Sequence, residues 1–145
     1  MRGRKPSLTV ISAIAALLIP LLGAGTTSAG TVPVLAGPWS IGQEGYGHVR
    51  PVTVFNGGDP TGLVRRIEWL AWGGPRAVGV GSGFYVAPNQ VTAEGQRAAV
   101  VIVLFQLGRC HGRIAYNAID WYAPEYGEHF NAHRYINACT GSYHE

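Results

Sequence analysis

The sequence predicts a mainly β fold: a single small antiparallel β-sandwich or open barrel closed by one disulfide. Three observations point that way. From Arg50 onward, β-branched and aromatic runs alternate with Gly, Pro and Asp punctuation, a strand-and-turn rhythm. Residues 98–107 form the most apolar stretch of the domain, and such a run reads as a central strand buried on both faces. Finally, Cys110 and Cys139 are the two cysteines, and an even count without CxxC spacing in an exported chain favours a structural bridge.

Export is expected from the first residues. Arg2, Arg4 and Lys5 precede an apolar run from Leu8 to Leu22, and Thr27, Ser28 and Ala29 offer the small side chains a signal peptidase reads. Residues 1–29 are therefore expected to be a signal peptide cleaved after Ala29. A membrane anchor would need roughly 20 apolar residues. This run is shorter and is followed by Gly23 and Gly25. A lipoprotein needs a cysteine just after the signal, whereas the first cysteine is Cys110. The expected location is secreted and extracellular.

Cleavage changes the electrostatic argument. The whole chain carries a formal net charge of +3 from 11 bases and 8 acids, and three of those bases lie in the signal. What remains is balanced, so the basic isoelectric point is no footprint for nucleic acid, and no membrane contact is expected after cleavage.

About 115 residues then remain, enough for one core. Residues 30–47, with Pro33, Pro38 and several glycines, read as a flexible N-terminal arm whose Trp39 docks on the body. Residues 48–145 read as the β-rich secreted domain. Its first strand is 51–55, and the loop that follows takes its shape from Pro60 and its glycines. The second strand, 63–72, alternates so that Ile67, Trp69 and Ala71 share one face and Glu68, Leu70 and Trp72 the other.

A tight turn at Gly73–Arg76 leads to a third strand, 77–86. A hairpin symmetric about Gly74 and Pro75 would set Trp72 opposite Ala77, Leu70 opposite Gly79 and Trp69 opposite Val80. Gly79, Gly81 and Gly83 then fall on one face, and large side chains such as Leu70 and Trp72 are expected to lie across that bare backbone. A linker, 87–97, precedes the apolar strand. The next strand, 113–122, sets Ile114, Tyr116, Ala118 and Asp120 against Ala115, Asn117, Ile119 and Trp121. Residues 124–135 read as a loop or one short helical turn, and the disulfide returns Cys139 to Cys110. Closing a loop of about 30 residues stabilises a fold by roughly 3–4 kcal/mol in the chain-entropy view.

Candidate chemistry is sparse. His129 and His133 would share one face of a helix with Glu128 beside them, and the disulfide would bring His111 near. The order Glu-His-x-x-x-His departs from the zincin pattern, so neither a metal nor a cofactor is expected. Asp120, Glu125 and Glu128 are candidates for a general acid and base, as in glycoside cleavage. Gly79-Val80-Gly81-Ser82-Gly83 matches neither a nucleophile elbow, which requires Gly-x-Ser-x-Gly whereas Ser82 has glycines immediately beside it, nor a dinucleotide fingerprint, which requires a following helix. Four tryptophans and seven tyrosines leave aromatic binding as the remaining signal. Trp72 and Tyr85, flanking the glycine face, are the candidate binding residues.

Several further stretches belong together: Asp59-Pro60-Thr61-Gly62, Ile67-Glu68-Trp69, Trp72-Gly73-Gly74, Ala77 to Gly81, Leu107 to Gly112, Tyr116, Trp121-Tyr122 and Cys139-Thr140-Gly141. In these the chain resembles small secreted proteins of unknown function from high-GC Gram-positive (actinobacterial) bacteria. The absence of lysine after the signal fits the coding bias of such genomes. The resemblance implies secretion and a compact β fold with this disulfide, and carries over no activity. The expected function is a non-enzymatic extracellular binding or structural domain, with a cell-envelope glycan or another extracellular protein as partner. The alternative is a small envelope hydrolase using a carboxylate and a histidine.

Overall fold

The computed structural model describes residues 30–145, so the expected signal peptide lies outside the described residues. The chain forms one curled antiparallel half-barrel sheet, the open-barrel form of the expected β fold. Its strands are β1 (Val34–Leu35), β2 (Thr53–Phe55), β3 (Leu63–Ala71), β4 (Ala77–Tyr85), β5 (Gln96–Cys110), β6 (Arg113–Tyr122), β7 (Tyr135–Asn137) and β8 (Tyr143–His144). From β2 to β8 each strand pairs with the next in sequence, a meander. Among the described residues the helical elements are short 3-10 turns, including Pro60–Gly62 and Pro124–Tyr126.

The apolar run behaves as its composition demands. In β5, Val100, Ile102 and Leu104 enter the main core, while Val103 and Phe105 enter a second cluster on the opposite face. Phe130 and Tyr135 cover that second cluster, each edge-on to Phe105 at centroid distances of 5.2 and 5.5 Å. Burial on both sides explains why no polar alternation was needed there.

β3 departs from simple alternation. Arg65 pairs with Ser82 and Glu68 with Val80, so three residue steps on β3 face two on β4; a second extra residue enters between Trp69, paired with Gly79, and Ala71, paired with Val78. Each is a β-bulge, and each moves the following side chains to the other face. The core-facing set is thus Val64, Ile67 and Trp69 on β3 with Trp72 just beyond it, and Leu70 is left 69% exposed. This corrects both the expected register and the expected faces: Trp72 joins Trp69, edge-on at 4.6 Å, instead of opposing it.

The glycines serve packing, though under different side chains from those expected. A Cβ on Gly79 would meet Ile67 at 2.8 Å and Trp69 at 3.0 Å, and one on Gly81 would meet the Arg65 carbonyl at 2.8 Å. Val64, ahead of the first bulge, and Ile67 and Trp69, which that bulge carries to the same face, occupy the bare backbone.

A third irregularity separates the halves of β6. Gln106 adopts a left-handed backbone (φ 55°) and the β5–β6 ladder skips it. Tyr116 consequently reaches the main core, edge-on to Trp72 at 5.5 Å, while Ala118 stays in the second cluster. The expected sharing of one face by Tyr116 and Ala118 is corrected by this kink.

Residues 30–47, expected to be a flexible arm, carry buried residues instead. β1 pairs parallel with β6, Val34 with Ala115 and Leu35 with Tyr116, and Val34, Leu35, Ala36 and Tyr46 are buried. Two residues are too few to reveal a strand by periodicity. Trp39 does dock: it packs edge-on to Tyr46 at 4.7 Å and over Gly141, where a Cβ would collide with the indole. Cys110 and Cys139 are joined, as expected, with their Cα atoms 5.8 Å apart.

Candidate functional site

A cleft of about 260 Å³ opens where the ends of β4 and β6 meet the segment running into β7. Tyr85, Trp121, Tyr122, Asp120, Glu128 and Arg134 line it. Three of the sequence candidates, Tyr85, Asp120 and Glu128, therefore come together in one place.

Each is positioned by local structure. Tyr85 ends β4 and stacks parallel on Tyr126, with centroids 4.0 Å apart and an interplanar angle of 3°. Gln96 donates to the Tyr126 hydroxyl at 2.8 Å, which anchors the pair from the start of β5. The 3-10 turn Pro124–Tyr126 ends at Gly127 in the left-handed conformation (φ 78°), folding the chain back so that Glu128 Oε2 accepts the Ala123 N–H at 2.8 Å.

Asp120 sits on β6 opposite Val103, on the face shared with Ala118, and is 7% exposed. A carboxylate there requires compensation. Arg134 Nη2 lies 3.7 Å from Oδ1, and the Asn131 N–H approaches Oδ2 at 3.5 Å. Burial nevertheless dominates and raises the Asp120 pKa above its ordinary 3.8; Arg134 pulls it down, and the neighbouring Glu128 pushes it further up. The site thus holds two carboxyl groups whose environments differ, one held toward its neutral form.

The sign of the resulting pH dependence is fixed. A carboxyl with a raised folded pKa binds more protons folded than unfolded, so its contribution to stability falls as pH rises from the unfolded value through the folded one. Asp120→Asn removes this dependence. We predict that the variant gains stability relative to wild type as pH rises across that window, read as urea midpoints against pH. A pH-independent difference would count against the assignment.

The remaining candidates lie elsewhere. Trp72 is half-buried among Trp69 and Tyr116, and its indole N–H donates to the Pro33 carbonyl at 2.9 Å, so its contacts are internal. Glu125 lies in the first turn of Pro124–Tyr126 and does not line the cleft. The segment bearing His129 and His133 is not helical, so the expected one-face pairing is absent. His111 lies against Cys110, Nδ1 to Sγ 3.6 Å, grouped with both cysteines, but their sulfurs are engaged with each other. No histidine lines the cleft among the described residues.

Sequence reasoning missed Arg134. The available signal was Asp120 itself: an acid midway along an otherwise apolar strand face needs a cation from elsewhere in the chain. No protein family, curated protein or solved structure matches the chain.

Proposed function

We propose that the protein is a secreted, non-enzymatic domain that binds a cell-envelope glycan in the cleft between Tyr85 and the Asp120–Glu128 pair. One observation carries the reading: aromatic rings and carboxylates that are distant in sequence line the same open cleft. Ring faces stack on the apolar faces of sugars, and carboxylates accept hydrogen bonds from hydroxyls. The signal-like N-terminus and the disulfide support an extracellular setting.

The test is calorimetric titration with oligosaccharides released from cell-wall glycan. Tyr85→Ala is expected to weaken binding roughly two- to tenfold, the loss of an aromatic contact worth about 0.5–1.5 kcal/mol. Trp72→Phe, whose ring is engaged internally, is expected to leave affinity unchanged. No heat of binding with any such glycan would refute the proposal.

Hydrolysis is the second reading, favoured by two carboxyl groups lining one cleft, Asp120 with its pKa raised by burial, since glycoside cleavage works through a pair of carboxyl groups. The histidine of the expected hydrolase is not part of it. Release of reducing ends, abolished in Asp120→Asn, would select this reading over simple binding.

A further inference from the structure

A second groove, of about 360 Å³, shares Phe84 with the cleft, and its chemistry is different. Arg65, Arg66 and Arg97 line it together with Ser82, Phe84 and Leu63, and no acidic side chain does. The sheet register explains the convergence. Arg65 pairs with Ser82 and Arg97 with Phe84, and Ser82 and Phe84 are two residues apart on β4, so all four occupy one face.

Arg66 should point the other way, because consecutive strand residues alternate. It reaches the same groove because the bulge in β3 places it in the left-handed region (φ 52°), a conformation unfavourable for a residue with a side chain. The backbone thus adopts a disfavoured geometry that brings a third guanidinium beside two others.

These three guanidinium groups have no carboxylate partner among the described residues. Among the described residues the guanidinium–carboxylate pair is Arg134–Asp120. The nearest acid in sequence to the groove's Pro60, Asp59, is occupied by the Thr61 N–H at 2.8 Å and by the Thr61 hydroxyl. Nor does general basicity explain the cluster, since residues 30–145 hold eight arginines and eight acids. Three mutually repelling cations are retained around an apolar floor of Leu63 and Phe84.

We propose that this groove is a binding site for an oxyanion, a phosphate, sulfate or carboxylate group, which the three arginines clamp. Guanidinium forks match the geometry of such groups in paired hydrogen bonds, and the apolar floor accommodates the body that carries the charge. The anion comes either free or attached to a polymer, and the two sources are separable.

The experiment titrates the protein with inorganic phosphate and, separately, with polygalacturonate. Binding of the polymer alone identifies a polymer-borne group, and binding of phosphate identifies a free anion; both support the site. Arg97→Gln is expected to weaken the bound probe roughly tenfold, the loss of one charged hydrogen-bond donor group. Arg109→Gln, which removes the same charge elsewhere, is expected to leave affinity unchanged.

Arg66→Gly gives a readout independent of folding defects. Glycine suits the positive φ, so this variant is expected to melt higher than wild type while binding the probe more weakly. Binding of neither probe at millimolar concentration overturns the proposal. So do equal losses in Arg97→Gln and Arg109→Gln, or full affinity in Arg66→Gly.

Discussion

Replacing Tyr116 by alanine is expected to destabilise the fold by about 3–5 kcal/mol, the range for deleting a large buried ring. Tyr116 is fully buried and the largest such side chain among the described residues. Its ring meets Trp72 edge-on, and its hydroxyl accepts the Gly73 N–H at 2.9 Å and donates to the Gly74 carbonyl at 2.8 Å. One residue on β6 therefore fills the core and also fixes the turn between β3 and β4. Tyr116→Phe separates the two contributions. It keeps the ring and leaves the turn's donor and acceptor without their partner, at a cost of about 1–3 kcal/mol. Urea unfolding of the two variants is the measurement, and equal losses would refute the division between ring and hydroxyl.

Removing the disulfide is expected to have an effect of similar size. Cys110 and Cys139 are 29 residues apart, and opening a loop of that length costs roughly 3–4 kcal/mol through the unfolded chain. For a domain of this size that lowers the melting temperature by roughly 10–20 °C. The Cys110→Ser/Cys139→Ser variant should melt lower by that amount, and wild type in reductant should fall to match it. A melting temperature indifferent to reductant would show that the link adds nothing to stability. The structure gives the loss a location. Cys139 follows Ala138, which is fully buried, and its N–H is held by Asn137 Oδ1 at 3.0 Å. Trp39 packs over Gly141 just beyond.

Much of the fold was legible because composition and punctuation are local signals. The strand expected at 113–122 is β6 itself, and the strands expected at 63–72 and 77–86 each end one residue early, at Ala71 and Tyr85. What escaped depends on backbone geometry that carries no residue signature. Arg66 and Gln106 take left-handed conformations that sequence habit reserves for glycine or asparagine. Their consequences are a shifted register and a crossed face, which set Trp72 beside Trp69 and Tyr116. The cleft was half legible for a related reason. Tyr85, Asp120 and Glu128 stood out by residue type, whereas Arg134 became part of the site only through the return of the chain into β7.

One long side of β6 is covered by two short pieces laid end to end: β1 against Ala115 and Tyr116, and β7 against Ala118 and Ile119. The Ala36 N–H takes the Tyr116 carbonyl at 3.1 Å, and the Ala138 N–H takes the next carbonyl, that of Asn117, at 2.7 Å. The cover is thus assembled from opposite termini of the domain, and neither piece suffices alone. A chain emerging residue by residue from the ribosome has this flank unsealed until residues 135–138 are free. Until then its uncovered amides and carbonyls are a template on which a neighbouring copy can add a strand.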